Sequence, residues 1–167
     1  MSTHNTHINE TIHLLSDTYS AEKQLTRALA KLARATSNEK LSQDFHAHLE
    51  ETHRQIERID QVVESESNLK IKRMKCVAME GLIEEVDEVI ESTEKNEVRD
   101  AALIAAAQKV EHYEIASYGT LATLAEQLGY RKAAKLLKDT LEEEKATDIK
   151  LTDLALNNVN KKAENKA

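Results

Sequence analysis

Residues 141–151 read LEEEKATDIKL and have the apolar spacing of an α-helix. At about 100° per residue, Leu141 and Leu151 fall on the same stripe as Glu144 and Asp148. An ionised carboxylate in a leucine core is costly unless it is paired or bound to a metal ion. The stretch therefore predicts a helix whose buried face carries acids for a reason other than packing.

The composition indicates an all-α protein. The 167 residues include no proline and only three glycines, and aromatic residues make up 3%. Ala, Leu, Glu and Lys dominate, and these residues favour helices. The formal net charge of −7 makes nucleic acid an unlikely partner, because that binding needs cationic surface to meet phosphates.

Cysteine usage and the amino-terminal sequence point to the cytoplasm. Cys76 is the single cysteine, so no internal disulfide can form, and a reducing compartment is indicated. Residues 1–13 contain no apolar signal core, and no apolar run has the length that a bilayer requires. We therefore expect a cytoplasmic protein that does not enter a membrane.

Helical periodicity predicts four long helices and one short helix. The expected ranges are about 8–35, 39–63, 98–128 and 131–159 for the long helices, and about 76–90 for the short helix. The flanking sequences suggest a flexible segment at 1–7, a helical bundle at 8–160 and a disordered tail at 161–167.

The connections between these helices favour a ferritin-like four-helix bundle. Residues 36–38 and Gly129 are turn and capping sequences, so each joins two long helices into an antiparallel pair. Residues 64–97 form a long crossover that carries the short helix. One long crossover is the pattern of ferritin-like bundles, and an ordinary bundle with a spare helix remains the alternative.

The two halves of the chain resemble each other. Alignment of Glu22 with Glu114 places the segment LAKLA on LATLA, and the same operation, with a one-residue gap, superposes Glu51 on Glu144. A bundle with two-fold related halves would place these four glutamates around one axis. Chance similarity between Ala- and Leu-rich helices is the alternative.

The inward acids form a candidate metal centre. Several ionised carboxylates in one core would repel each other and take up protons, whereas iron or manganese supplies the opposite charge. In carboxylate-bridged dimetal bundles, each half gives one Glu from one helix and a Glu-x-x-His from the next. The predicted ligands of two iron or manganese ions are Glu22, Glu51, Glu114, Glu144 and Asp148, together with Glu111 on the flank of the stripe, about 60° from Glu114.

The sequence also departs from that dimetal pattern. Glu50 and His53 form a literal Glu-x-x-His, but both lie more than about 80° from the apolar stripe and are expected at the surface. The repeat instead places Gln55 four residues after Glu51. His48 shares the face of Glu51 and is either a substitute ligand or a hydrogen-bonded core residue. An acidic seam without metal remains the alternative.

Three stretches closely resemble the YciE/YciF-type bacterial stress proteins, a ferritin-like family of unknown activity. They are IHLLSDTYSAEKQLTRALAKLA at 12–33, CVAMEGLIEE at 76–85 and VEHYEIASYGTLATLAEQLG at 110–129. The resemblance implies a ferritin-like bundle, a homodimer and a rubrerythrin-like dimetal centre. It matches Glu111 and Glu114 to the Glu-x-x-Glu of the rubrerythrin third helix.

Two functions remain open from the sequence. The first is a dimetal stress protein that handles O2 or peroxide, and the alternative is a metal-free dimeric structural or interaction protein on the same bundle. Residues 70–75, KIKRMK, are interpreted as a solvated connection rather than a site for an acidic partner or RNA. The candidate dimer contact is a small-residue stripe consisting of Ala101, Ala102, Ala105 and Ala106.

Overall fold

The computed structural model describes residues 3–164, which form an all-α protein as predicted. The main helices are α1 (Thr3–Ala35), α2 (Glu39–Ser65), α3 (Val77–Ser92), α4 (Glu97–Gln127) and α5 (Arg131–Leu154). A π-helical turn, Ala155–Val159, continues α5 into the short α6 (Asn160–Glu164). None of the helices in the described part of the chain has the length and apolarity needed to cross a membrane.

The ends of the chain are more helical than the sequence pattern indicated. Helix α1 begins at Thr3 rather than near residue 8, and residues 161–164 belong to α6 rather than to an unstructured tail. Both segments are polar and therefore give no apolar periodicity, but neither contains a glycine or proline that would stop a helix. Residues 1–2 and 165–167 lie outside the described part of the chain.

The five main helices form a four-helix bundle with one long crossover. Helix α1 packs against α2 and α4 packs against α5, and the two hairpins meet through α1–α4 and α2–α5 contacts. Helix α3, in the crossover, packs on the outside against α1 and α4. This arrangement confirms the architecture predicted from the loop lengths.

Two apolar clusters fill the bundle, one toward each end. Leu29 and Leu103 belong to one cluster, and Leu15 and Leu121 belong to the other. On each long helix, at least one buried polar residue separates the residues of the two clusters, as Thr18, Thr52, Glu114 and Glu144 do. The apolar core is therefore divided by a polar layer across all four helices.

Local capping fixes the hairpin turns. Asn38 caps α2 by accepting from the backbone N–H of Leu41 at 3.1 Å. Buried Asp100 of α4 accepts from the backbone N–H groups of Ser37 and Asn38, each at 2.8 Å, and so fastens the α1–α2 turn to the second hairpin. Gly129 follows α4 with a φ of 79°, the left-handed conformation in which glycine is favoured.

The segment between α2 and α3 has little regular structure and lies along α1. The backbone N–H of Lys72 donates to Ser16 Oγ at 2.9 Å, and that of Cys76 donates to Ser20 Oγ at 2.9 Å. The Gln24 amide donates to the Cys76 carbonyl at 3.1 Å. Side chains of α1 therefore hold this segment in place.

Candidate metal centre

Four buried side chains converge in the polar layer. His48 comes from α2, Glu111 and Glu114 from α4, and Glu144 from α5. One potential ligand atom from each residue lies within 4.8 Å of the others. Metal–ligand bonds of roughly 2.0–2.2 Å place opposite ligands about 4 Å apart, so the group is close to the size of one coordination sphere.

The donor atoms of this cluster fit a divalent cation. His48 Nδ1 lies 3.2 Å from Glu111 Oε1, and His48 Nε2 lies 3.7 Å from Glu144 Oε2. Both carboxylate oxygens of Glu114 and of Glu144 are buried without a hydrogen-bond partner among residues 3–164. Such orphaned acceptors are costly, and a cation would satisfy several at once. A set of carboxylates and one imidazole suits iron or manganese.

Glu22 reaches the same layer from α1. It is fully buried, and its Oε1 accepts a hydrogen bond from the hydroxyl of buried Tyr118 at 2.8 Å. Its other oxygen has no hydrogen-bond partner in the described part of the chain. Burial raises the pKa of Glu22 to about 7, and the charge of Glu144 adds to this effect. Glu22 therefore offers one free oxygen beside the four-residue cluster.

The protonation pattern shows how the layer balances its charge without metal. Burial raises the pKa of Glu111 and of Glu114 well above the ordinary value, and the charge of Glu144 raises both further. Burial acts on Glu144 in the same direction, but its contacts with His48 and Glu111 outweigh burial and lower its pKa to about 2. Burial opposes a charge on His48, yet the contact with Glu144 raises its pKa. An ionised Glu144 beside a cationic His48 is thus surrounded by acids that hold protons.

The two remaining predicted ligands, Glu51 and Asp148, lie outside the four-residue cluster. Glu51 is half-buried, and its Oε2 accepts from the Thr147 hydroxyl at 3.3 Å. Asp148 accepts from the Gln108 amide at 3.1 Å and lies 3.2 Å from His112 Nε2. Asp148 follows Glu144 by one turn of α5 and is rotated by about 40° around the helix axis. This rotation directs the Asp148 side chain toward the outer side of α4. The structure therefore places Glu51 at the edge of the layer and does not bring Asp148 into it.

His48 is the member of the cluster that the predicted ligand set left out. The available signal was its position one turn before Glu51 on the same helix face. Gln55, also buried, donates to Glu143 Oε2 at 3.2 Å instead of joining the cluster. Glu50 and His53 are exposed, as predicted.

A surface cavity of about 180 Å³ leads toward the layer between α2 and α5. His48 and Glu51 are among its walls, and Arg54 and Lys150 also line it. A water molecule occupies about 30 Å³ in the liquid, so the cavity has room for several small molecules. Because His48 belongs to the buried cluster, this cavity reaches the edge of the cluster from the surface.

An all-α bundle with one long crossover and a buried layer of carboxylates and histidine defines a ferritin-like class of protein. The family model described as "Domain of unknown function (DUF892)" matches residues 10–164, so the chain belongs to this family. Protein YciF from Escherichia coli (strain K12) is 96% identical over 156 residues, which cover 93% of this chain and 94% of that protein. The resemblance to the YciE/YciF-type proteins is thereby confirmed.

Solved structures show the same fold. The crystal structure of the E. coli stress protein YciF has a TM-score of 0.91 and 91% identity, covering 97% of this chain and 100% of that one. YcfI from Rhodopseudomonas palustris has a TM-score of 0.83 and 45% identity, covering 87% of this chain and 92% of that one. A protein from Xanthomonas campestris pv. campestris has a TM-score of 0.76 at 23% identity, covers 96% of this chain and 98% of that one, and supports the fold alone.

Proposed function

We propose that this chain is a stress-response protein whose ferritin-like bundle binds iron or manganese in the polar layer. The observation that carries the proposal is the convergence of His48, Glu111, Glu114 and Glu144 with unpartnered buried oxygens. The stress-response role is supported by the 91% identical E. coli protein, which is described as a stress protein.

The residues divide between two ion positions. The first ion is held by His48, Glu111, Glu114 and Glu144, whose ligand atoms are already grouped. A second ion is held by Glu22, whose free oxygen lies in the same layer, with Glu51 on the cavity side. When bound, the metal would supply the chemistry of binding and reducing O2 or peroxide.

The cavity between α2 and α5 is the access route in this proposal. Metal ions and small oxidants need a path because the cluster itself is buried. Glu51 stands in the wall of the cavity, so its carboxylate can receive an incoming cation and pass it inward. The apolar clusters on both sides of the layer exclude water from the remaining approaches.

Elemental analysis tests the proposal. Protein freed of metal with a chelator is incubated with Mn²⁺ or Fe²⁺, excess metal is removed, and the ions per chain are counted. One or two ions per chain are expected, and His48→Ala should retain fewer. His53→Ala on the exposed face of the same helix is the matched control and should retain as many as the wild type. Equal retention by both variants would exclude the centre.

The second candidate is a metal-free structural or interaction protein. It is favoured by YcfI from R. palustris, which is 45% identical over 87% of this chain and is described as a candidate structural protein. This function needs the bundle but not the ligands. It therefore predicts that Mn²⁺ and Fe²⁺ leave the melting temperature unchanged.

The homodimer and the cytoplasmic location remain predictions. The alanine stripe cannot serve as a whole as the dimer contact, because Ala106 is buried in the chain's own core and Ala101 packs against that core. Ala105 remains exposed. Sedimentation at micromolar concentration measures the oligomeric state, and a single monomer species would exclude the dimer.

A further inference from the structure

A basic groove lies between α1 and the segment that joins α2 to α3. It encloses about 430 Å³ and is separate from the residues of the metal centre. Five cationic side chains line it, and none of the acidic residues that the structure describes does. The five residues that define the basic groove are Lys23, Arg27, Lys72, Arg73 and Lys75.

This concentration of positive charge is unusual on a chain with a net charge of −7. Lys75 pairs with Glu80, which lies outside the groove lining. Within residues 3–164, Arg27 and Arg73 are exposed and make no ion pair with an acid. Neighbouring cations without anions repel each other, so the groove is complementary to an anion.

The sequence alone did not indicate this site, because half of it comes from α1. Residues 70–75 look like a solvated connection until α1 places Lys23 and Arg27 beside them, one helical turn apart. Ser16 and Ser20 accept hydrogen bonds from the backbone of the connection, and Gln24 donates one to it, which fixes the connection against α1. The backbone that carries Lys72, Arg73 and Lys75 is therefore held beside α1 before a ligand arrives, which reduces the ordering cost of binding.

The spacing of the cations favours a small ligand of high charge density. Lys23 and Arg27 lie about 6 Å apart along the helix axis, and residues 72–75 span about 10 Å of chain. An extended acidic peptide presents carboxylates on one face about 7 Å apart, and so brings only about two charges into this length. A di- or triphosphate brings about three or four charges into the same space.

Apolar groups complete the groove. Tyr19, Ile71 and Met74 line it together with the cations, and Lys23 Nζ lies 4.7 Å from the centroid of the Tyr19 ring. These side chains provide a surface for the uncharged part of a ligand. We propose that the basic groove binds a small organic oligophosphate of the nucleoside di- or triphosphate class. A long polyanion is disfavoured because the rest of the acidic chain would repel it.

Calorimetric titration with adenosine triphosphate tests this proposal on the full chain, in chelator-treated protein so that the metal centre takes no part. One saturable site is expected. Arg27→Gln/Arg73→Gln should raise Kd at least about tenfold, because two charge-assisted contacts are lost. Lys40→Gln/Lys132→Gln removes the same charge from exposed positions outside the groove and should leave Kd unchanged.

Three results would overturn the proposal. They are the absence of saturable binding into the millimolar range, equal weakening in the groove and control variants, and tighter binding of a single-stranded oligonucleotide than of the nucleotide. Melting temperature verifies that the variants fold, since all four substituted side chains are exposed. Lys72→Gln, at another exposed groove position, gives the same test should the double variant fail to fold.

Discussion

The two helical hairpins contribute unequally to the polar layer. The α4–α5 hairpin supplies three fully buried carboxylates, Glu111, Glu114 and Glu144, whereas the α1–α2 hairpin supplies Glu22 and the imidazole of His48. The internal repeat pairs Glu51 with Glu144, yet Glu51 is half-buried at the cavity. Related sequences thus direct acids toward the same layer, and the local packing decides how deep each acid lies.

This asymmetry has a chemical consequence. The side of the layer toward α4 is enclosed, whereas the cavity opens between α2 and α5, on the side of His48 and Glu51. We therefore infer one tightly held ion among His48, Glu111, Glu114 and Glu144, and a second, more weakly held ion near Glu51. The following substitutions compare the enclosed side with the open side.

The largest difference is expected between Glu144→Gln and Glu51→Gln. With free Mn²⁺ a thousandfold above its dissociation constant, bound metal adds about 4 kcal/mol to the free energy of unfolding. Glu144→Gln should remove most of this stabilisation, whereas Glu51→Gln should lower only the occupancy of the second ion. Urea unfolding with Mn²⁺ measures the stabilisation, and metal counts per chain measure the occupancy. Equal losses in the two variants would contradict the asymmetry.

The pH dependence of the chelated protein follows from the raised pKa of Glu22. Between pH 4.5 and about 7, folded Glu22 holds a proton that the unfolded chain releases. The contribution of Glu22 to the free energy of unfolding is therefore fully present below this window. It falls by about 3 kcal/mol as the pH rises through the window. Glu111 and Glu114 act in the same direction, and the lowered pKa of Glu144 acts only below pH 4.5.

Urea unfolding at a series of pH values in chelator measures how the free energy of unfolding changes with pH. Glu22→Gln is the control, because it removes the titrating group and should flatten the curve. Saturating Mn²⁺ should reverse the slope, since metal binding requires ionised carboxylates. A chelated wild type that gains stability between pH 5 and 7 would show that these acids are already ionised in the fold.

Substitution of Tyr118 separates the effect of the hydrogen bond to Glu22 from the effect of the metal ligands. Tyr118→Phe removes the hydroxyl that donates to Glu22 and leaves a buried oxygen without a partner. The expected loss is about 2 kcal/mol of unfolding free energy. Tyr19→Phe is the matched control, since the Tyr19 hydroxyl makes no hydrogen bond within residues 3–164, and should change stability by less than about 0.5 kcal/mol. Similar losses in both variants would mean that the hydroxyl does not support Glu22.

The smallest effect is expected at Asp148. Its partners are Gln108 and exposed His112, and a partly exposed ion pair contributes about 0–1 kcal/mol. Asp148→Asn should therefore change thermal stability little and leave the number of bound ions unchanged. A loss of metal comparable with that of Glu144→Gln would return Asp148 to the ligand set predicted from the sequence.

Helical periodicity was sufficient to identify most of the layer. Leucine stripes at a spacing of 3.6 residues indicate the inward direction of Glu22, Glu114 and Glu144, and all three are buried. The same periodicity placed Glu111 on the flank of its stripe, and this residue is buried as well. The basic groove could not be predicted in this way, because it requires the register of an irregular segment against α1.

Helical periodicity could not predict how deeply Glu51 is buried or in which direction Asp148 points. Both depend on neighbours from other helices or turns, such as Thr147 beside Glu51 and His112 beside Asp148. His48 was recognised on the correct face, but the sequence offered no means to decide between a ligand and a core histidine. The separations to Glu111 and Glu144 across the bundle, which place His48 among the buried carboxylates, could not be obtained from one sequence.

Thermal unfolding of wild type and Glu114→Gln, each with Mn²⁺ and with chelator, tests the metal centre most directly. Glutamine keeps the size of the side chain but removes a ligand charge. With Mn²⁺ the variant should melt at a lower temperature than the wild type, because metal-linked stabilisation is lost. In chelator it should melt at the same temperature or higher, because burial and the charge of Glu144 raise the pKa of Glu114, and a neutral amide removes the cost of protonating this acid on folding. Equal shifts in both media would contradict a metal centre in this layer.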